Sequence, residues 1–274
     1  MAIDNRQPAR HGWRFFVGSN TFLQVLVGIV GLAFWEAASR SFDLDFWISS
    51  PTAVATELVR WERSGHLWVD LRVTMTEASL GFIVGCIAGG FTGFVLGWTQ
   101  RLGDILEPYI VALYSIPKIA LAPLFVLWLG IGVTNKVMFA AMLVFFIVFF
   151  TTYRGVRSVD RELVQNAWLL GANRWDIWTK IAIPYSAVWM LTGLRIALPD
   201  ALIGAIVGEF VASDAGVGYR IKEATAFVNT AGVFAGLFVL LLISLCLLSL
   251  LKLIENRTLR WQAGDGAIAT EPGH

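Results

Sequence analysis

The stretch ASLGFIVGCIAGGFTGFVLGWTQ, residues 78–100, runs from Glu77 to Arg101 without a charged residue and carries Gly81, Gly85, Gly89, Gly93 and Gly97 at a spacing of four. A helix needs about 20 mostly apolar residues to cross the hydrocarbon core of a bilayer, where unpaired backbone groups are too costly to leave. This segment meets that requirement. Glycines four apart fall on one side of a helix, so these five form a ridge without side chains, widened by Gly90. A neighbouring backbone can approach such a ridge closely, and that close contact is the main attraction between helices in lipid. The ridge reads as a helix-packing face; a face on which helices slide as a bundle rearranges is the alternative.

The same pattern recurs along the chain. No charge lies between Arg14 and Glu36, Lys118 and Lys136, Lys136 and Arg154, or Glu223 and Lys252. The spans read near residues 21–38, 76–98, 105–130, 136–153, 186–211 and 232–254. The composition agrees: charged residues make up 15% of the 274 residues, against about 25% in soluble globular domains. So polar-poor a chain cannot cover the surface of a soluble domain of this size. A disordered chain, a basic nucleic-acid binder and a disulfide scaffold are all excluded. The expected fold class is an all-α polytopic membrane protein with about six transmembrane helices.

Six spans put both termini on one side. With the termini inside, the inner segments hold Arg6, Arg10, Arg14, Arg101, Arg154, Arg157, Arg161, Arg174, Lys180, Lys252, Arg257 and Arg260. The outer segments hold Arg40, Arg60, Arg63, Arg72, Lys136, Arg220 and Lys222. The excess of basic residues orients the termini towards the cytoplasm. The resulting organisation is a cytoplasmic tail over 1–20, one transmembrane domain over 21–254, and a second cytoplasmic tail over 255–274. The outer segment 39–75 contains Ser50-Pro51-Thr52, a helix-start signal, and Trp47, Trp61 and Trp68 suit an interfacial helix.

Little in the chain suggests chemistry of its own. The nearest string to a phosphate-binding loop, GIGVTNK (130–136), has Asn where the second Gly belongs and no Ser or Thr after the Lys. Cys86 and Cys246 fall inside spans, and His11, His66 and His274 are scattered, so no metal site or disulfide is indicated. No catalytic residue and no cofactor are expected in this chain. Ionisable groups at membrane depth are functional candidates, and Lys118, Arg195, Asp200 and Glu209 are of this kind. Pro117 and Pro123 flank Lys118 and should bend the third span. Two readings stand for these four residues: structural salt bridges between spans, or a translocation path in which Lys118 and Arg195 attract an anionic solute. An ion-coupled carrier using Asp200 and Glu209 for protons is a further alternative, although the two halves show no internal repeat.

The inward segment 154–184 is too long for a tight connection and is patterned. Leu163, Ala167 and Leu170 share a helical face, Gly171 and Asn173 break it, and a short helix over 175–183 ends at Pro184. A helix–turn–helix on the cytoplasmic surface is expected; a hairpin resting on the headgroups through Trp168, Trp175 and Trp178 is the simpler alternative.

The string QNAWLLG (165–171), then nine residues, then IAIP (181–184), resembles the EAA loop of binding-protein-dependent ABC importer permeases. Its pattern is Glu-Ala-Ala, three residues, Gly, nine residues, Ile-x-Leu-Pro. The spacing, Ala167, Gly171, Ile181 and Pro184 match; Gln165 and Asn166 replace Glu and Ala, and Ile183 replaces Leu. SSPTAV (49–54), IPKIALAPLFVLWLGIG (116–132), VGEFVAS (207–213) and GVGY (216–219) are similar to the nitrate/sulfonate/taurine branch of that family. The resemblance implies a type I permease fold in a bacterial inner membrane. Two such subunits would pair as a homodimer around a translocation path. A soluble binding protein would deliver a small anionic solute outside, and two cytoplasmic ATPases, which hold the ATP and Mg, would dock on the EAA loops. The coupling residues implied are Gln165, Asn166, Ala167, Leu170, Gly171, Arg174, Ile181 and Pro184.

Overall fold

A computed structural model describes residues 13–41 and 45–258; His11, His274 and most of both expected tails lie outside them. In order, the helices are α1 (Trp13–Ser41), α2 (Asp45–Ile48), α3 (Pro51–Arg63), α4 (His66–Trp98), α5 (Gln100–Tyr114), α6 (Ala122–Leu129), α7 (Val133–Arg157), α8 (Arg161–Leu169), α9 (Arg174–Ile177), α10 (Ile183–Val211), α11 (Val217–Ala226) and α12 (Thr230–Thr258). The described residues contain no strand. The first and last helices run into the segments expected as tails, to begin at Trp13 and end at Thr258.

Five helical stretches are long and apolar enough to cross a membrane: Phe22–Ser41, His66–Trp98, Val133–Arg157, Arg174–Val211 and Thr230–Leu251. The sixth expected span is not one helix. Gln100–Tyr114 and Lys118–Leu129 meet at 80°, so the expected bend over 105–130 is a break. Pro117 supplies the cause: it has no N–H to continue the helix of α5, and its extended backbone (φ −60°, ψ 94°) leads into a 3-10 turn, Lys118–Leu121. Two other boundaries move. The second span starts ten residues early, at His66, and brings Asp70 and Thr74 into the helix. The short helix expected to end at Pro184 does not end there: α9 passes through a π-helical turn, Trp178–Ala182, straight into α10. Pro184 falls in the first turn of α10, immediately after that π turn.

The centre of the bundle is α7, gripped between α4 and α10. A Cβ built on Gly85, Gly89 or Gly93 would stand 2.5–2.6 Å from the carbonyl oxygens of Ala141, Phe145 and Phe149, and one on Gly81 would stand 2.5 Å from Ala140 Cβ. Gly97 meets Val156 at 2.8 Å in the same way. The whole ridge is therefore filled by the α7 backbone. From the other side Gly204 of α10 abuts Ala140, its Cβ position 2.5 Å from that residue's Cα. Phe139, Ala140, Val144, Val148 and Phe149 of α7 are buried in consequence. By contrast α1 is peripheral and apolar nearly all round, and it is held near its C-terminal end. There Trp35 packs on Phe234 and donates to the Ser49 carbonyl, and Glu36 accepts from the Thr52 backbone N–H and hydroxyl at 3.1 and 2.9 Å.

Candidate functional site

Among the described residues, three places gather the expected site residues and the completely buried charges. The first is the loop between α7 and α10. Asp160 caps α8, accepting from the Glu162 N–H at 2.8 Å, and α8 stops at Leu169. Gly171 turns the chain with φ +85°, a left-handed conformation that glycine adopts without a Cβ penalty. Asn173 then caps α9 reciprocally with Asp176 (2.9 and 3.1 Å). Both helix starts are thus capped and the turn between them is hydrogen-bonded through the Leu170, Gly171 and Ala172 N–H groups, which fixes the hairpin's shape while leaving its tip bare. Leu169 and Leu170 are 85% and 89% exposed. Gln165, Asn166 and Arg174 are exposed, and Ala167, Ile181 and Pro184 are half-buried. Gln165 lines a cleft of about 360 Å³ with Gly97, Trp98, Val156, Arg157 and Trp168, between the hairpin and the ends of α4 and α7. Trp178 does not join a headgroup belt: it packs edge-on against Phe94 and Trp98 of α4, at 5.7 and 5.6 Å. With Ile177 and Ala182 buried, the hairpin is welded to the bundle at its second helix.

The second place lies at the break between α5 and α6. A cavity of about 570 Å³ is lined by Tyr114 and Lys118, by Ile147, Phe150, Thr151 and Arg154 of α7, and by Ile196 and Asp200 of α10. Lys118 Nζ sits 3.8 Å from the centroid of the Tyr114 ring and donates to the Tyr114 carbonyl at 3.1 Å. The sequence coupled Lys118 with Arg195; the structure puts Asp200 and Arg154 with Lys118 instead, and Arg195 is outside the lining. On a helix, Asp200 lies five residues on from Arg195, about 140° of rotation, and both sit on α10, which continues across Pro199.

The third place, at the opposite end of the bundle from the hairpin, was not foreseen. Lys136 Nζ contacts Glu77 Oε1 at 2.5 Å, an ion contact whose angles are not those of a hydrogen bond, and donates to Ser213 Oγ at 2.9 Å. Glu77 and Glu209 are completely buried, and Lys136 is 4% exposed. Glu209 accepts from the Thr74 hydroxyl at 2.6 Å and the Gly218 N–H at 2.5 Å. Thr74 Oγ1 in turn accepts from the Val217 N–H at 2.9 Å. Asp70 takes the Gly216 N–H at 2.8 Å and Arg220 Nε at 2.5 Å. Burial opposes the charge on Arg220, but Asp70 and Glu223 outweigh it and hold its pKa above the ordinary guanidinium value. The strings VGEFVAS and GVGY are thus one device: Glu209 and the two glycines after it fasten the turn beyond α10 to α4. Lys136 is therefore not an outer-loop charge, and Glu209 is a structural anchor, nine residues or about 13 Å of helix from Asp200. The available signal was that Glu77 and Lys136 each stand at the edge of a charge-free run.

These geometries meet known proteins at one point. Residues 81–260 match the family described as the binding-protein-dependent transport system inner membrane component. The chain belongs to that family. It is 36% identical over 233 residues to the riboflavin transport system permease protein RibX of Chloroflexus aurantiacus, covering 85% of this chain and 87% of that one. It is 31% identical over 231 residues to the formylaminopyrimidine transport permease protein ThiX of Halalkalibacterium halodurans, covering 84% and 92%. A putative aliphatic sulfonates transport permease protein, SsuC of Bacillus subtilis, is 31% identical over 215 residues, covering 78% of each. A solved chain of the MetNI methionine ABC transporter in inward-facing form superposes with a TM-score of 0.57 at 16% identity, over 73% of this chain and 95% of that one. The protein is a multi-pass ABC importer permease with the type I fold, and that membership replaces the ion-coupled carrier reading. The relatives' names differ in solute, so the family does not fix which solute this permease moves.

Proposed function

We propose that this permease forms the path for a small solute bearing an acid group, and that the α8–α9 hairpin couples that path to a separate ATPase. In this reading two copies pair in a bacterial inner membrane with their termini cytoplasmic. ATP and Mg are held by two cytoplasmic ATPase subunits, and a soluble binding protein delivers the solute from the other side. The observation that carries the coupling role is the bare tip. Leu169 and Leu170 project two large apolar side chains from a capped hairpin whose second helix runs unbroken into α10. An apolar tip of this kind suits a groove on a partner, with Ala167 beside it and Arg174 at the rim. A push on α8 passes through the anchored Ile177 and Trp178 to α10, which carries Asp200 into the cavity at the break between α5 and α6. The solute reading draws on Lys118 and Arg154 in that cavity and on the sulfonate permease among the relatives.

The test is Gly171→Asp. An Asp side chain is strained at φ +85° and places a charge beside Leu170, so ATP hydrolysis by the assembled complex is expected to continue while uptake is lost. Permease levels in the membrane should not change. Unaltered uptake by this variant removes the coupling role.

A further inference from the structure

The charges of the cluster opposite the hairpin do not balance. Glu77 and Glu209 are completely buried and face one ammonium, that of Lys136. Arg220, the cation of the neighbouring helix α11, is taken up by Asp70 and Glu223. Arg72, Asp214 and Lys222 are exposed. Two carboxylates against one ammonium leave a negative charge out of reach of water, and an unmatched buried charge is strongly unfavourable. The oxygens locate the imbalance. Both Glu209 oxygens accept, Oε1 from the Thr74 hydroxyl and Oε2 from the Gly218 N–H. Glu77 Oε1 meets Lys136 Nζ, whereas no donor reaches Glu77 Oε2. The two carboxyls nevertheless lie within hydrogen-bonding reach of each other. Carboxylates repel at that distance, and one proton between them turns the repulsion into a charge-assisted hydrogen bond. A carboxylate has about four acceptor sites, so Glu209 has room for a third donor. Packing disfavours a metal ion as the missing positive charge. A Cβ on Gly208 would stand 2.8 Å from Lys136 Cγ, and one on Gly216 or Gly218 would collide with the Glu209 carboxylate, so α10 and the turn after it press the cluster dry. Among the described residues no three His, Cys, Asp or Glu side chains gather to hold a metal ion.

We infer that Glu77 and Glu209 form a proton-binding site, with one proton held between Glu77 Oε2 and the Glu209 carboxylate. The pair then carries a single negative charge, matched by Lys136. The proton ties α4 to α10, while Lys136 ties α7 to Glu77 and to Ser213. Glu209 also holds the Gly218 N–H and, through Thr74, the Val217 N–H. Loss of the proton would set two buried anions against each other at the point that fastens the turn beyond α10. Water must then enter, and it can enter only if that turn lifts. Opening of this end of the bundle and release of the proton are therefore one event, and closure takes a proton up.

The test is infrared spectroscopy of the full-length permease in lipid nanodiscs at neutral pH. The wild type is expected to show a protonated-carboxyl C=O band that moves when the glutamate carboxyls are isotope-labelled, which separates it from Asp200. Glu77→Gln should lose the band while keeping the wild-type elution profile, and the exposed-site variant Lys222→Met should keep it. In heavy water the band should shift no faster than the amides of the turn 212–218 exchange, followed by mass spectrometry, because both wait on the same opening. Replacing sodium by choline in the buffer should leave the band and the midpoint of thermal unfolding unchanged. A wild type without a glutamate band, a band that survives Glu77→Gln, or a midpoint that drops when sodium is withdrawn overturns the site. A band that exchanges ahead of the turn amides overturns its coupling to opening. The labelled wild-type spectrum decides the matter even if Glu77→Gln fails to fold.

Discussion

Lys136→Met puts the buried charge cluster to a quantitative test. The substitution keeps an unbranched side chain of similar length and deletes one positive charge. What remains is Glu77, completely buried with no donor on Oε2, next to Glu209, which is also completely buried. Removing one partner of a buried ion pair typically costs about 3–5 kcal/mol, a factor of about 10² to several times 10³ in the folding equilibrium at 1.4 kcal/mol per tenfold. The loss of the Ser213 hydrogen bond lies within that range. The cluster has two carboxylates for one ammonium, so an ordering follows. Glu77→Gln should be much milder than Lys136→Met, because it leaves one carboxylate, Glu209, for one ammonium. The double variant Lys136→Met/Glu77→Gln should recover most of the loss. Glu209→Gln should be severe, because its amide N–H₂ would face the Thr74 hydroxyl or the Gly218 N–H, one of which then has no acceptor. The assay is reversible unfolding of the purified permease in mixed micelles, read as a double-mutant cycle, with exposed Lys222→Met as the reference. If Lys136→Met costs no more than Lys222→Met, or if Glu77→Gln fails to rescue it, the cluster does not hold the bundle together.

Two further outcomes follow from glycines at fixed positions. Gly89→Ala would place a Cβ 2.5 Å from the Phe145 carbonyl oxygen and 3.1 Å from the Phe149 nitrogen; these backbone atoms cannot swing away, so folded yield should fall several-fold, whereas Gly31→Ala, with nothing within 4 Å, should be neutral by the same size-exclusion measurement. Gly216→Ala imposes φ +113° on a residue with a Cβ and drives that Cβ onto the Glu209 carboxylate; strain of about 1–3 kcal/mol should appear as a lower midpoint of thermal unfolding, and an unchanged midpoint would show that the turn after α10 is not pinned there.

Composition and period carried much of the fold. Charge-free runs locate spans because a charge in lipid is costly wherever the helix happens to pack, so the signal is local. The glycine spacing marks a face for the same reason: period and side-chain size are properties of one helix. Helix continuity was less legible. Pro117 and Pro184 are both prolines beside apolar runs, yet one breaks its span by 80° and the other sits inside a continuous helix. Proline forbids only its own donor, and whether the helix resumes depends on what the neighbouring turn packs against. At Pro184 the π turn is anchored by Trp178 on Phe94 and Trp98; at Pro117 the chain turns so that α5 and α6 can both lie on the bundle.

The chain by itself determined that this is a membrane-spanning all-α protein, which stretches are apolar enough to cross, and which segment forms the polar hairpin. Each follows from transfer free energies that act residue by residue along the sequence. Only the tertiary structure decided how the scarce charges are matched. Glu77 pairs with Lys136 across two spans, Glu209 serves an anchor, and Asp200 is left facing Lys118 across a cavity. Contact ion pairs and hydrogen bonds form only within a few ångströms, and which residues of separate helices come within that reach is set by how closely a glycine ridge lets α7 approach.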